Sequence, residues 1–104
     1  PKEVEAEIDA IPGVIESAVI GVPHPDFGEG VTAVVVPKPG AGIDEEIVLH
    51  GLKDRLARYK QPKRVLFIEE LPRNTMGKVQ KNILRETYGN LYMTDKSAPA
   101  SKSL

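Results

Sequence analysis

VTAVVV, residues 31–36, is a nearly continuous run of β-branched side chains. A strand with one face in water alternates apolar and polar residues, whereas Thr32 is the one polar residue of this run. The run therefore predicts a strand that other elements cover on both faces. A second buried strand is predicted over residues 14–22, where β-branched and small residues dominate up to the Pro23-His24-Pro25 turn.

Helices are predicted to supply that cover. Apolar residues at helical spacing indicate helices over residues 1–11, 44–58 and 79–88. Pro62 prevents the second helix from continuing, and a third strand is predicted over residues 64–68. The order α-β-β-α-β-α predicts an α+β fold, a small α/β domain with a three-stranded mixed sheet flanked by helices.

With 104 residues the chain has room for one domain. We predict this domain over residues 1–90 and a flexible tail over residues 91–104, which are rich in Ser, Lys and Ala and lack a core-forming pattern. Cysteine is absent, which excludes a disulfide framework and a thiolate zinc site. No apolar run approaches the ~20 residues of a membrane span, and no secretory leader is visible, so we expect a cytoplasmic location without a membrane partner.

Charge is divided unevenly along the chain. Residues 1–51 carry two lysines against ten acids, or −8, and residues 52–104 carry twelve Lys or Arg against five acids, or +7. The basic half predicts an acidic partner such as nucleotide phosphate, nucleic acid or a protein surface. The alternative is that the two halves attract each other. Aromatic residues in the basic half lack the interleaved pattern of nucleic-acid modules, which disfavours a nucleic-acid partner.

A lysine follows a glycine in the segment Pro72-Arg73-Asn74-Thr75-Met76-Gly77-Lys78-Val79. The segment is not a phosphate-binding P-loop, because Pro72 replaces its first glycine and Val79 replaces its magnesium-binding Ser or Thr. Asp26-Phe27-Gly28 matches a kinase tripeptide, but the chain is far too short for a kinase. A flexible ammonium can pair with a carboxylate and a phosphate together. The alternative is an exposed surface lysine without a role.

The segment from Leu71 to Lys81 resembles the Pro-x4-Gly-Lys motif near the end of AMP-forming acyl-CoA synthetases and their adenylating relatives. Other stretches agree in order and spacing: Pro1-Lys2-Glu3-Val4-Glu5, Gly21-Val22-Pro23-His24-Pro25 with Gly28-Glu29, and Tyr59-Lys60-Gln61-Pro62-Lys63. The resemblance covers about residues 1–90 and implies the mobile C-terminal domain of these enzymes. The amino-acid sequence of this motif is most similar to that of malonyl-CoA synthetases.

The resemblance implies a two-step ligase. A carboxylate and ATP give an acyl-adenylate and pyrophosphate, and coenzyme A then displaces AMP. Lys78 matches the catalytic lysine of adenylation, within a motif loop that includes Pro72 and Gly77, and Gly77 would admit the lysine without Cβ obstruction. The domain is expected to rotate between the half-reactions.

Rotation implies a second functional face. Tyr59 and Lys63 match positions that contact coenzyme A in some relatives, although Gln61 departs from an arginine found there in at least one of them. Tyr59 could instead close the preceding helix against the core. His24 is interpreted as a turn residue, and because His50 lies far from it along the chain we predict no metal site here. Mg²⁺ is expected in the parent enzyme, outside this domain.

The same resemblance implies that the main partner is a large N-terminal domain of the same enzyme, which holds ATP and the acyl group. We expect the chain alone to be inactive. The alternative hypothesis treats the isolated domain as a recognition module that a lysine acyltransferase modifies at Lys78 and a deacylase restores. Acylation would remove the charge that adenylation needs.

Overall fold

The computed structural model describes residues 2–93. Its elements follow the predicted order, with one additional short 3₁₀ helix before the last strand. They are α1 (Lys2–Asp9), β1 (Val14–His24), β2 (Gly28–Pro37), α2 (Glu45–Leu52), the 3₁₀ helix (Arg58–Lys60), β3 (Arg64–Phe67) and α3 (Lys81–Thr87). The α+β fold expected from the sequence is confirmed. None of these helices is long and apolar enough to cross a membrane.

The sheet has the order β1-β2-β3, so the β-branched run lies on the central strand. β1 and β2 form an antiparallel hairpin that closes at the His24–Gly28 pair. β3 joins β2 in parallel, from Thr32 opposite Arg64 to Val35 opposite Phe67. The sheet is therefore mixed, as predicted.

Successive residues of β2 supply two separate hydrophobic cores. Ala33 and Val35 pack on the side covered by α1 and α2, while Val34 and Val36 pack on the side covered by α3. All four are at most 4% exposed. The prediction that both faces of the central strand are covered is confirmed, and the alternation of side chains across a strand explains it.

The helix predicted over residues 44–58 is wrong at its carboxyl end. α2 ends at Leu52, although it begins as expected with the Asp44 carboxylate accepting a hydrogen bond from the Ile47 amide at 2.9 Å. The Gln61 side-chain amide donates to the carbonyls of Leu52 (2.8 Å) and Leu56 (3.0 Å). These hydrogen bonds stabilise the turn that stands in place of the predicted helix end, because they give donors to carbonyls that have no partner within a helix terminus. Gln61 thus has a structural role.

The predicted helix over residues 79–88 begins two residues late. Val79 instead pairs with Arg73 in an isolated antiparallel bridge, and α3 starts at Lys81. Beyond α3 the Tyr92 ring is buried, and its hydroxyl lies 2.8 Å from the hydroxyl of buried Thr32. The boundary predicted at residue 90 therefore falls inside a packed segment. Residues 94–104 of the predicted tail lie outside the described residues.

Ion pairs join the acidic and basic halves of the chain. In five pairs within residues 2–93 the cation comes from the basic half and the carboxylate from the acidic half, which supports the interpretation that the two halves attract each other. The pairs are Arg55–Glu7, Lys60–Glu3, Arg64–Glu45, Arg73–Glu16 and Lys81–Glu5.

Candidate functional site

The predicted motif loop is an ordered hairpin over residues 72–80, which we call the motif hairpin. Its base closes where the Gln80 amide donates to the Pro72 carbonyl at 2.8 Å. Next to the base, Arg73 and Val79 form the antiparallel bridge. The Asn74 amide then donates to the Lys78 carbonyl at 3.0 Å. Lys78 is thus carried on a hydrogen-bonded ribbon.

The tip of the motif hairpin depends on Asn74 and Gly77. The Asn74 carbonyl accepts from the Gly77 amide at 2.9 Å, and the Asn74 side-chain oxygen accepts from the amides of Met76 and Lys78, each at 2.9 Å. Gly77 has φ +83°, a conformation that glycine adopts without the steric penalty of a Cβ atom. A Cβ there would meet nothing within 4 Å, so within the described residues Gly77 supplies a backbone conformation rather than space.

Lys78 is exposed, and its ammonium forms no ion pair or hydrogen bond with residues 2–93. The neighbouring cations of the same segment differ, because Arg73 pairs with Glu16 and Lys81 pairs with Glu5. Within residues 2–93, the hairpin therefore presents one positive charge without an ion-pair partner. A charge of this kind can bind an anion without first giving up a protein partner.

Arg73 links the tip of the hairpin to the sheet. Its Nη1 donates to the Gly77 carbonyl at 2.8 Å, and its Nη2 pairs with the Glu16 carboxylate on β1. The two side chains are 40% and 31% exposed. An ion pair this exposed contributes about 0.2–1 kcal/mol to stability, so its main effect is geometric.

Glu5 anchors the other end of the segment. Its Oε2 lies 2.7 Å from the Lys81 ammonium and accepts a hydrogen bond from the Val19 amide at 2.8 Å. One carboxylate thus connects α1, the start of α3 and the outer edge of β1. Sequence reasoning missed Glu5 and Glu16, because each meets its partner only after long-range folding. Asn74 could have been found, since an asparagine three residues before a glycine is typical of a turn.

Tyr59 and Lys63 lie outside the motif hairpin, on the 3₁₀ helix and in the segment that follows it. Tyr59 belongs to the 3₁₀ helix, is 78% exposed and has the Lys60 ammonium 5.7 Å from its ring centroid. It does not close the helix against the core, so that alternative is wrong. The Lys63 ammonium lies 4.1 Å from the centroid of the Phe27 ring, which is 60% exposed. Each of the two contacts thus places a cation beside an exposed aromatic ring.

Titratable groups give little further indication of a site. Among the described residues, no group of three or more His, Cys, Asp or Glu side chains could hold a metal ion. His24 ends β1, and its Nδ1 accepts a hydrogen bond from the Asp26 amide at 3.0 Å, as expected of a turn residue. The pKa of Lys60 is raised above its ordinary value of 10.5, mainly by its hydrogen bond with Glu3.

Residues 3–78 match the profile of the AMP-binding enzyme C-terminal domain. The chain belongs to this family. The match ends on Lys78 and includes Pro72 and Gly77. The three-stranded mixed sheet with its helices is the fold of this AMP-binding enzyme C-terminal domain.

Relatives place this C-terminal domain in longer enzymes. A 3-[(3aS,4S,7aS)-7a-methyl-1,5-dioxo-octahydro-1H-inden-4-yl]propanoyl:CoA ligase from Rhodococcus jostii is 51% identical over 86 residues, which are 83% of this chain and 17% of the ligase. The crystal structure of apo MatB from Rhodopseudomonas palustris is 72% identical with a TM-score of 0.88, over 88% of this chain and 18% of MatB. A Mycobacterium tuberculosis fatty acyl CoA synthetase is 44% identical with a TM-score of 0.82, over 88% of this chain and 18% of the synthetase. The chain spans less than a fifth of each relative.

Proposed function

We propose that the chain is the C-terminal domain of an ATP-dependent acid–thiol ligase and that Lys78 is its adenylation lysine. The observation that carries this proposal is the exposed Lys78 ammonium on an ordered hairpin, without an ion-pair partner in the described part of the chain. The named relatives support it, since the Rhodococcus jostii protein is a CoA ligase and the Mycobacterium tuberculosis protein is a fatty acyl CoA synthetase. The missing partner is then the N-terminal domain of the same enzyme, and a cytoplasmic location remains a prediction.

The proposed reaction has two steps. A carboxylate oxygen of the acid attacks the α-phosphorus of ATP, and the bond to pyrophosphate breaks to leave an acyl-adenylate. The coenzyme A sulfur then attacks the acyl carbon, loses its proton, and releases AMP. Two anions must approach each other in the first step, and a positioned ammonium between them lowers that barrier electrostatically. Lys78 supplies this ammonium. The proposal places Mg²⁺ outside this domain and assigns it no ligand here.

The second step is proposed to use the surface around Tyr59 and Lys63 after the domain has rotated. An exposed aromatic ring can stack on the adenine of coenzyme A, and a nearby cation can pair with its phosphates. Both features are exposed on this surface, which supports the assignment. Domain alternation explains why Lys78 and Tyr59 are carried by different elements.

Malonate is the proposed acid. The sequence of the motif resembles that of malonyl-CoA synthetases, and the chain is 72% identical to MatB from Rhodopseudomonas palustris over 88% of its length. A panel of malonate, acetate, propionate and a long-chain fatty acid, assayed with the full-length enzyme, tests this assignment. Preference for another acid would remove the malonyl assignment and leave the ligase assignment intact.

Lys78→Ala in the full-length enzyme tests the role of the lysine. We expect ATP–pyrophosphate exchange to fall on the order of 10²–10³-fold, by analogy with the loss of one preorganised donor. Thioester formation from supplied acyl-adenylate should be largely spared. Lys53→Ala is the matched control, because Lys53 is also exposed and lies just after α2, away from the motif hairpin. Equal loss of both half-reactions would contradict the division of roles.

A second candidate function is regulatory acylation of Lys78 by a lysine acyltransferase, reversed by a deacylase. Its support is the exposure of Lys78 and the absence of an ion pair to it among residues 2–93. Mass spectrometry after incubation with an acetyltransferase and acetyl-CoA tests this candidate. Modification concentrated at Lys78 is expected, and modification spread evenly over exposed lysines would count against it.

A further inference from the structure

The peptide bond that joins Gly77 to Lys78 is held on both sides. Its N–H donates to the Asn74 side-chain oxygen at 2.9 Å, and its carbonyl accepts from Arg73 Nη1 at 2.8 Å. A peptide unit is planar, so two bonds to its opposite polar groups fix its orientation. The Lys78 carbonyl also accepts from the Asn74 amide, so the backbone is held on both sides of the Lys78 Cα and the direction of its Cα–Cβ bond is set.

The two bonds have different origins. Asn74 belongs to the tip of the same hairpin, so its bond shapes the turn but does not attach the turn to the domain. Arg73 makes the attachment, because its other guanidinium nitrogen pairs with Glu16 on β1. A guanidinium is a rigid fork that can hold two acceptors at once. The chain Glu16–Arg73–Gly77 therefore connects the sheet to the residue before Lys78.

Stability does not explain this arrangement. Both members of the Glu16–Arg73 pair are partly exposed, and such pairs contribute little to folding. The exposed Arg55–Glu7 pair, by comparison, joins α1 to the segment after α2 and includes no contact with a backbone carbonyl of the motif hairpin. The Glu16–Arg73 pair differs from it, because Arg73 also donates to the Gly77 carbonyl of the motif hairpin.

We propose that Arg73, held by Glu16, is a positioning residue for the Lys78 ammonium. Arg73 does not touch the reacting groups; it keeps the Gly77–Lys78 peptide in the orientation that adenylation requires. This proposal rests on the proposed role of Lys78. A misplacement of about 1 Å can cost 10²-fold in rate, so we expect the loss of Arg73 to lower adenylation about 10- to 100-fold.

The test combines Arg73→Ala and Lys78→Ala, singly and together, in the full-length enzyme. Arg73→Ala should lower kcat for ATP–pyrophosphate exchange, leave KM for ATP nearly unchanged, and spare thioester formation from supplied acyl-adenylate. In the Lys78→Ala background it should cause no further loss, because the residue that it positions is gone. Arg55→Ala removes a comparable exposed pair and should leave exchange unchanged.

Conservative variants separate orientation from folding. Arg73→Lys keeps a charge for Glu16 but lacks the fork, so it should recover only part of the exchange rate. Glu16→Gln removes the negative charge that holds Arg73 but keeps an acceptor oxygen, so its exchange rate should fall between those of wild type and Arg73→Ala. If urea unfolding shows that Arg73→Ala does not fold, Glu16→Gln replaces it as the test variant.

Each contrary outcome has a distinct meaning. Full exchange activity in Arg73→Ala, alongside a large loss in Lys78→Ala, would overturn the positioning role and leave the proposed function standing. An additional loss from Arg73→Ala in the Lys78→Ala background would show that Arg73 acts by another route and overturn it as well. Unchanged exchange in Lys78→Ala would overturn the proposed function, and the positioning role with it.

Discussion

Replacing Gly77 by alanine tests the importance of the turn that carries Lys78. Gly77 has φ +83°, and a Cβ atom at this position would meet nothing within 4 Å. The substitution therefore adds no clash and changes only the conformational energy. Gly40 has φ +74° and equally open surroundings, in the loop between β2 and α2. Gly40→Ala is the matched control.

The expected cost follows from two opposing effects. An L-residue in the left-handed region costs roughly 1–2 kcal/mol. Alanine also restricts the unfolded chain, which returns about 0.4–1 kcal/mol. Each variant should thus lose about 1 kcal/mol of unfolding free energy, which corresponds to a fall in Tm of about 4–8 °C for a domain of this size. Gly77→Asn should lose less, because asparagine tolerates this conformation better.

Urea unfolding of the chain measures stability, and ATP–pyrophosphate exchange in the full-length enzyme measures adenylation. We expect Gly77→Ala and Gly40→Ala to lose similar stability, and only Gly77→Ala to lose exchange activity. Equal exchange activity in the two variants would refute the importance of the turn. A stability loss several kcal/mol larger for Gly77→Ala would refute the reasoning that its surroundings are open.

Three further predictions concern other parts of the domain. Tyr92→Phe removes the hydroxyl that lies 2.8 Å from the Thr32 hydroxyl. Urea unfolding should show a free energy of unfolding lower by about 0.5–1.5 kcal/mol. A change near zero would contradict a contribution from this buried hydrogen bond. The pKa of Lys60 is raised by Glu3, so the stability that this charged lysine contributes is complete below pH 10.5 and is lost as pH rises through the raised pKa. NMR titration should show that the pKa of Lys60 falls in Glu3→Gln. An unchanged pKa would refute Glu3 as the cause. Tyr59→Ala should raise KM for coenzyme A by roughly 5- to 150-fold, because the ring can no longer stack on the adenine. Adenylation and stability should not change. An unchanged KM would contradict the assignment of Tyr59 to coenzyme A binding.

The sheet could be predicted from the sequence because its signal is local. A β-branched run without polar alternation requires cover on both faces, and the structure gives Ala33 and Val35 to one core and Val34 and Val36 to the other. The helix order followed from apolar spacing in the same way. These patterns depend on residues that are near one another in the chain.

The end of α2 could not be predicted, because it depends on a distant residue. Apolar spacing continues through Leu56, which is indeed buried, yet the helix stops at Leu52. The Gln61 side chain holds the carbonyls there, nine residues from the helix end. Tyr92 falls in the predicted tail for a similar reason, because its burial depends on packing near Thr32, which is 60 residues away along the chain.

The candidate site likewise combines features that the local sequence predicts with contacts that form only on folding. Lys78, Gly77 and Pro72 follow from the motif, whereas the ordered state of the hairpin does not. Its attachment to the domain depends on Glu16, which is 57 residues from Arg73 along the chain. No local pattern indicates such a pair. The motif predicted the lysine, and the structure adds the contacts of Arg73 with Gly77 and Glu16 beside it.

The most direct test of the central claim is ATP–pyrophosphate exchange by the full-length enzyme carrying Lys78→Gln. This substitution keeps a polar side chain in the same hairpin and removes the positive charge. The account predicts a fall on the order of 10²–10³-fold relative to wild type, with Lys53→Gln unaffected. Exchange by Lys78→Gln equal to that of Lys53→Gln would contradict the claim that this domain supplies the charge for adenylation.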